Sequence, residues 1–254
     1  MQRTLPSITR FVSDPRKSAC LVFAACLALT SANAADLPSQ TSALENNKAG
    51  WKDILPGTDL GGWNRVSVPP GGKLGRDQWH VDANKKTLIC DGDGGHDMLL
   101  YGTEFTNCIF HLEFRYEKID GKTGYNSGAY VRNSKDGSIW HQAQFGDAKD
   151  GFLFGETSTT NGGKTFFSTQ QDVKENRVKP AGEWNTLEIV AQGKTLILWV
   201  NGAVTSRYEN CGTPHGFVGL EGEGYKIEFR NLKVKSLDSI RAHYDAPMSH
   251  DSKK

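Results

Sequence analysis

The sequence has no apolar run long enough to cross a membrane as a helix. Spanning a bilayer takes about 20 consecutive apolar residues, and the N-terminal run LVFAACLAL covers only residues 21–29. Four basic residues precede this run, and Ala32-Asn33-Ala34 follows it. Such a pattern is typical of a secretory signal peptide. We therefore expect residues 1–34 to be removed from an exported bacterial protein, periplasmic or secreted, with no membrane partner.

The sequence also lacks an excess of charge of either sign. It has 30 Lys and Arg against 29 Asp and Glu, for a net charge of +1. Nucleic-acid binding depends on clustered cationic side chains that neutralise phosphates. We therefore expect no nucleic-acid partner.

Cysteine is scarce outside the signal peptide. Cys90, Cys108 and Cys211 remain, an odd number without Cys-x-x-Cys spacing, which argues against a cysteine-based metal cluster. An oxidising compartment would permit one disulfide among the three. A buried free thiol at Cys108 fits its apolar neighbours equally well, and the sequence leaves both alternatives open.

Familiar catalytic and cofactor motifs are missing. There is no Gly-x-Ser-x-Gly of a serine hydrolase, no carboxylate pair at Glu-x-Asp-x-x-Glu spacing and no dinucleotide fingerprint, so we expect no nucleotide cofactor. The acidic stretch DGDGGHD at 91–97 has His96 where an EF-hand needs Gly and Gly102 where it needs Glu. We interpret this stretch as a polar turn between strands.

Long amphipathic helices are absent, and strand patterns fill the chain instead. Strands are predicted at 107–117, 127–132, 138–145, 184–191, 195–200, 216–221 and 226–235. Asn201-Gly202 indicates a hairpin turn. With 28 Gly, many of them at turns, the pattern predicts an all-β antiparallel sandwich or jelly roll. We expect one domain at 50–237 between flexible segments at 35–49 and 238–254.

Three successive predicted strands each have one polar face. Because alternate side chains of a strand point to opposite sides, this face would hold the following residues: Glu113, Arg115, Asn126, Tyr130, Arg132, Trp140, Gln142 and Gln144. The opposite face holds apolar residues that we expect to be buried: Phe110, Leu112, Phe114, Ala129, Val131, Ala143 and Phe145. If the three strands share a sheet, their polar side chains would form a surface suited to sugar hydroxyls and rings.

Less specific interpretations fit some of these residues. Glu113 and Arg115 could be a solvent-exposed face with cross-strand ion pairs. Tyr130 and Trp140 could cover an edge of the core. His141, on the apolar side of its strand, is interpreted as a core histidine.

An ordered set of short motifs resembles a known family. The motifs are LGGW at 60–63, LEFR at 112–115, NSGAYVR at 126–132, WHQAQFGD at 140–147, GEWN at 182–185, WVNG at 199–202 and FRNLKVK at 229–235. In this order they resemble the 3-keto-disaccharide hydrolase domain family, over about residues 50–237. The resemblance implies a concanavalin-like jelly-roll β-sandwich with 3-keto-glucoside 1,2-lyase and 3-keto-2-hydroxyglucal hydratase activity. Many relatives have Glu where this chain has Gln142, which cannot act as a base.

If the chain has this activity, a base removes the C2 proton of a 3-keto-glucoside, the C1 aglycone leaves and water adds to the product. We expect Glu113 to be the base and Arg132 to stabilise the enolate. Arg115, Asn126, Tyr130, Trp140, Gln142 and Gln144 would then bind the sugar. A divalent metal could assist, held by Asp147 or Glu221. A separate oxidoreductase would have to supply the keto group.

Two other functions remain compatible with the sequence. The same polar face could bind a glycan without chemistry, as a lectin-like module does. The chain could also be a structural domain of a cell-envelope assembly.

Overall fold

Two antiparallel sheets form the described part of the chain, residues 40–146, 151–173 and 175–238 of a computed structural model. Sheet A has eight strands and sheet B has seven. The all-β, jelly-roll sandwich predicted from the sequence is confirmed.

The strand bounds of sheet A are β1 Trp51–Asp53, β3 Trp79–Asp82, β4 Thr87–Cys90, β6 Cys108–Tyr116, β11 Asn185–Gln192, β12 Thr195–Val200, β13 Ala203–Tyr208 and β15 Ile227–Ser236. Those of sheet B are β2 Trp63–Ser67, β5 Asp97–Phe105, β7 Asn126–Asn133, β8 Trp140–Gly146, β9 Phe152–Ser158, β10 Lys164–Ser168 and β14 Gly216–Gly222. In space, sheet A has the order β13-β12-β11-β6-β15-β4-β3, with β1 also paired to β15, and sheet B has the order β10-β9-β8-β7-β14-β5-β2. A 3₁₀ turn covers Gln170–Asp172. All seven predicted strands are present, with ends shifted by a few residues.

The core lies between the two sheets. Every second residue of β6 points into it, and Phe110, Leu112 and Phe114 have no exposed surface. Phe114 stacks on Phe145 of sheet B with ring centroids 4.0 Å apart. Burial of each such side chain stabilises the fold by about 1.5–3 kcal/mol. The seven residues predicted to be buried are all buried, which confirms that prediction.

The cysteines of the described residues are free thiols. Cys90, Cys108 and Cys211 are buried at separate places and form no disulfide. Burial raises the pKa of the Cys90 and Cys108 thiols to about 12, so both are protonated at neutral pH. Of the two alternatives that the sequence left open, a disulfide or free thiols, the structure has free thiols.

The segment before residue 50 differs from the prediction. Residues 43–46 form a short helix, α1 (Ala43–Asn46), whose N-cap Ser42 makes a capping box with Glu45. The backbone amides of Ala43 and Leu44 donate to the buried carboxylate of Glu188, at 2.6 and 3.0 Å. The expectation of a flexible segment at 35–49 did not include this helix or its contact with Glu188. Residues 35–39, the predicted signal peptide and the predicted tail beyond Asp238 lie outside the described residues.

No helix among the described residues has the length and apolar character that a membrane span requires.

Candidate functional site

A cleft of about 360 Å³ lies on the face of sheet B that points away from the core. Strands β7, β8, β9 and β14 supply most of its walls, together with the turns next to β2 and β5. Its polar centre is lined by His96, Asn126, Tyr130, Gln142, Gln144, Glu221 and Glu223. On β7 and β8 these residues alternate with buried Ser127, Ala129 and Ala143, because successive side chains of a strand point to opposite faces.

The carboxylate of Glu221 is the hub of this centre. It is buried and accepts hydrogen bonds from the Tyr130 hydroxyl at 2.9 Å and from Gln142 Nε2 at 2.6 Å. His96 Nε2 lies 2.8 Å from Oε1, the same oxygen that accepts from Tyr130. Three partners from three other strands or turns therefore fix this charge in place, which a buried carboxylate requires.

A glycine makes room for Gln142. Tyr130 and Gln142 are register partners on β7 and β8, and the Gln142 side chain reaches Glu221 by crossing over Gly128. A Cβ atom at Gly128 would lie only 2.2 Å from Gln142 Nε2. A side chain at Gly128 would therefore displace Gln142 from Glu221.

A second chain of hydrogen bonds leads to Glu223. Gln142 Nε2 donates to Gln144 Oε1 at 3.1 Å, and Gln144 Nε2 donates to Asn126 Oδ1 at 2.5 Å. Asn126 Nδ2 in turn donates to the Glu223 carboxylate. The other Glu223 oxygen lies 3.9 Å from His96 Nδ1. Glu223 is therefore held beside His96 at the open side of the cleft, where 37% of its side chain is exposed.

The acids and the histidine of the centre shift each other's pKa. Burial lowers the pKa of His96, but the Glu221 hydrogen bond and the charges of Glu221, Glu223 and Asp97 outweigh it, so the net shift is upward. Burial and the Glu221 charge raise the pKa of Glu223. Burial, followed by Glu221, raises the pKa of Tyr130 well above 10. The imidazolium form of His96 is favoured, Glu223 becomes more basic, and Tyr130 stays a hydrogen-bond donor.

His96, Glu221 and Glu223 also have the chemistry of a cation site. Each offers one ligand atom, and the three atoms lie within 4.8 Å of one another. No Lys or Arg of the described residues forms an ion pair with either carboxylate. One imidazole nitrogen and two carboxylate oxygens suit a divalent transition metal, so these residues fit such an ion.

Apolar side chains also line the cleft. Val68, Pro69, Pro70 and Met98 do so on or next to β2 and β5, and Trp140 and Phe154 form an apolar side on β8 and β9. The rings of Trp140 and Phe154 meet edge to face, with centroids 5.0 Å apart. The site therefore combines a polar centre with an apolar extension over β8 and β9.

Most of the residues predicted from β7 and β8 meet in this cleft. Asn126, Tyr130, Trp140, Gln142 and Gln144 line it together, and so does Glu221, which was predicted only as a metal ligand. Asp147 lies outside the described residues. His141 is buried with the core, as predicted.

Arg132 does not reach the cleft, so the prediction that it shares a face with Tyr130 is wrong. Tyr130 pairs with Gly219 of β14 and Asn133 with Phe217, so two residues of β7 oppose one of β14. Arg132 lies in this β-bulge with a φ of +53°, and a bulge breaks the alternation of faces.

The buried Arg132 guanidinium has a structural role instead. It donates to the backbone carbonyls of Thr106, Gly193 and Thr213, at 2.9, 2.6 and 3.1 Å. These carbonyls belong to three connections between strands, which Arg132 ties together.

Glu113 and Arg115 lie in the other sheet, so their predicted place beside Arg132 is also wrong. Both are on β6 of sheet A, and their side chains point away from the core. Glu113 accepts from Arg230 Nε at 2.7 Å, and Arg115 forms an ion pair with Glu228 at 2.5 Å. Cross-strand ion pairing, the alternative interpretation of these residues, is what the structure has.

In the polar centre of the cleft, His96 and Glu223 are the residues that the sequence pattern did not identify. His96 is the last residue of the predicted turn, which covers residues 91–96 between β4 and β5. Glu223 follows β14 and shares the parity of Glu221. A His at the end of a polar turn and two Glu at i and i+2 were the available signals, but nothing in the sequence indicates that they meet.

The cleft on the outer face of the sandwich combines carboxylates, amides and aromatic rings. These groups suit a carbohydrate, and the family match supports a carbohydrate-active protein. Residues 50–235 match the family model of the 3-keto-alpha-glucoside-1,2-lyase-like domain. This match covers most of the chain, and the chain belongs to that family. The family suspected from the short motifs is confirmed.

Solved structures show the same fold. A proposed glycosyl hydrolase from Parabacteroides distasonis superimposes with a TM-score of 0.55 at 16% identity, over 79% of this chain and 100% of that one. A second such structure from that organism has a TM-score of 0.50 at 19% identity, over 74% and 99%. A Bacillus licheniformis β-glucanase gives 0.50 at 10% identity, over 75% and 99%. No curated protein matches the sequence significantly.

Proposed function

We propose that this protein cleaves 3-keto-glucosides by eliminating the C1 aglycone and then hydrating the unsaturated sugar. The observation that supports this best is the grouping of Glu223, His96 and the hydrogen-bonded Glu221 in one cleft. Such a grouping offers a base and a positive charge side by side. Membership in the family supports the same substrate class.

Glu223 is the base in this proposal, in place of Glu113. A ketone at C3 acidifies the hydrogen on C2, so a carboxylate can remove it. A general base works best when its pKa lies near the working pH, and burial together with the Glu221 charge raises the pKa of Glu223. Its partly exposed carboxylate faces the opening of the cleft, where the sugar would bind.

His96 replaces Arg132 as the stabiliser of the enolate oxygen. Its positive form is favoured because Glu221 and Glu223 lie close to the ring. A charge held in position before the reaction stabilises developing negative charge without reorganisation. Glu221 is the positioning residue, since it orients His96 and Tyr130 together.

A divalent cation is the alternative source of this positive charge, because neutral His96 together with Glu221 and Glu223 fits one. When bound, such an ion would polarise the C3 carbonyl oxygen as a Lewis acid. Activity that resists EDTA would assign the positive charge to protonated His96. Activity that EDTA removes and a divalent cation restores would assign it to the ion.

Neutral side chains around the acids would orient the hydroxyl groups of the sugar. Asn126, Gln142 and Gln144 present amides to the cleft. Gln142 donates to Glu221, so negative charge in this region comes from Glu221. A Gln at position 142 is therefore compatible with catalysis.

The proposal extends to the place of the reaction in the cell. The N-terminal pattern supports export, and mass spectrometry of the periplasmic or secreted protein should find Ala35 as its first residue. An uncleaved chain would contradict export. A separate oxidoreductase has to make the 3-keto-glucoside, because this reaction consumes a ketone that it does not form.

Incubation with a panel of 3-keto-glucosides tests the proposed activity. Release of the aglycone, together with formation of the 3-keto sugar, is the expected result. Binding of these sugars without release would favour a lectin-like, non-catalytic module instead.

A further inference from the structure

The apolar side of the cleft has features of a binding surface in its own right. Met98, Leu100 and Tyr130 form a hydrophobic cluster separate from the core of the sandwich, and Val66, Val68, Trp140 and Phe217 pack against it. This cluster lies on the outer face of sheet B and contributes Met98, Val68 and Trp140 to the cleft wall. A hydrophobic cluster beneath an open cleft is a common feature of small-molecule sites.

Few polar groups on this side are available for a sugar. Its charged residues, Glu156 and Lys164, form an ion pair with each other, and Lys164 also donates to the Ser138 carbonyl at 3.3 Å. A second sugar would need partners for several hydroxyls, because a buried polar group without a hydrogen bond is costly. An apolar planar group needs none.

The apolar side is continuous with the polar centre. Gln142 pairs with Tyr130 on one side and with Phe154 on the other. Phe154 therefore lies one strand spacing, roughly 5 Å, from Gln142, and Trp140 lies two residues along β8, roughly 7 Å from it. A group attached to C1 of a sugar in the polar centre would reach both rings. We propose that Trp140 and Phe154 form a subsite for an aromatic aglycone, so that aryl 3-keto-glucosides are the preferred substrates. This inference rests on the proposed function.

The chemistry of the leaving group fits this subsite. In the elimination, the C2 proton passes to Glu223, a double bond forms between C1 and C2, and the C1–O bond breaks. The bonding electron pair leaves on the aglycone oxygen. A phenol has a pKa of about 10, far below that of an alkyl alcohol, so a phenolate leaves without a proton donor. Among the described residues, the subsite offers no free proton donor, because Lys164 is already ion-paired with Glu156. A leaving group that needs no proton donor therefore suits it.

A specificity ratio tests the inference. For wild-type protein, kcat/KM is measured on 4-nitrophenyl 3-keto-glucoside and on methyl 3-keto-glucoside, in both anomers, and the aryl value is divided by the methyl value. Phe154→Ala should lower this ratio about tenfold, since a lost aromatic contact costs roughly that much. Trp140→Ala should lower the ratio as well. This second variant keeps the test valid if one of the two proteins fails to fold.

Phe166→Ala is the matched control. Phe166 is 62% exposed on the neighbouring strand β10 and is not part of the cleft lining, so its removal should leave the ratio unchanged. The intrinsic difference between the two leaving groups is the same in every variant and cancels when ratios are compared.

The outcomes separate this inference from the proposed function. An unchanged ratio in both Phe154→Ala and Trp140→Ala, with turnover retained, would overturn the subsite and leave the function standing. If no keto-glucoside reacts, calorimetric binding of the 4-nitrophenyl compound decides. Weaker binding in both variants would then support the aromatic subsite, although the proposed reaction has failed. Equal binding in wild type and both variants would overturn the subsite as well as the proposed function.

Discussion

Arg132 and Tyr130 are two positions apart in β7, yet only Tyr130 points into the cleft. The φ of +53° at Arg132 places this residue in a conformation that few residues other than glycine adopt. The bulge turns its side chain toward three backbone carbonyls. Alternation along a strand is a property of regular backbone, and a single residue in the left-handed region ends it.

We expect Arg132→Ala to lower the free energy of unfolding by at least ~3 kcal/mol. It removes a buried side chain and so leaves a cavity. It also takes the charged donor from the carbonyls of Thr106, Gly193 and Thr213. Thr213 is buried, and a buried group left unsatisfied costs about 1–3 kcal/mol. Urea denaturation measures the change. Arg115→Ala is the control, since a partly exposed ion pair contributes at most ~1 kcal/mol. A fully stable Arg132→Ala protein that lacks activity would restore the catalytic role predicted from the sequence.

His141 should make the fold sensitive to acid. Burial, with a smaller contribution from the Arg132 charge, lowers its pKa from 6.5 to about 4. The unfolded chain therefore binds more protons than the folded one between these values, and stability falls as pH falls from about 6.5 to 4. The shift corresponds to roughly 3 kcal/mol over this window.

His141→Gln should remove this part of the pH dependence. Denaturation of both proteins at several pH values between 7.5 and 4.5 gives the comparison. The difference in stability between wild type and variant should shrink as the pH falls. A difference that stays constant across this range would show that His141 does not titrate on unfolding.

At the residue scale, the sequence predicted the cleft residues of β7 and β8 where the backbone is regular. Asn126, Tyr130, Gln142 and Gln144 follow the alternation and meet as expected. Arg132 could not be predicted, because an arginine carries no signal for a left-handed conformation. His96 could not be predicted either, because a turn imposes no parity.

At the scale of elements, the connection between β6 and β7 decides which residues can meet. Residues 117–125 carry the chain from sheet A to sheet B, so Glu113 and Gln142 lie on different sheets. Consecutive strands often pair, which is why neighbouring strands were expected to share a face. Periodicity along one strand reveals its two faces but not which other strand lies beside it.

Helix α1 is the element that the sequence missed before residue 50. We expect Ser42→Ala to cost about 1 kcal/mol of stability, as the loss of an N-cap does. Hydrogen exchange at the amides of residues 43–46 should accelerate. Thr41→Ala is the matched control, because the Thr41 side chain is exposed and hydrogen-bonds only Asn46 among the described residues. Unchanged exchange in Ser42→Ala would show that the Ser42 cap does not stabilise α1.

At the scale of the whole molecule, the candidate site is a product of topology. His96 and Glu221 are 125 residues apart in the sequence and meet because β5 and β14 are neighbours in sheet B. Family resemblance predicted the fold correctly from collinear motifs spread along the chain. Contacts over such separations arise from strand order, which local patterns in a single sequence do not contain.

The central claim is that Glu223 removes the C2 proton of a 3-keto-glucoside in the cleft of sheet B. One experiment tests it most directly: turnover of a 3-keto-glucoside in deuterated water by wild type, Glu223→Gln and Glu113→Gln. Glu113 is the matched control, since it is a glutamate on the other sheet, paired with Arg230.

Wild type and Glu113→Gln should release aglycone equally and place deuterium at C2 of the sugar when the intermediate is hydrated. Glu223→Gln should lose at least the ~10²-fold in rate that a general base contributes while still binding the sugar. Full activity in Glu223→Gln, or its loss in Glu113→Gln, would contradict the account.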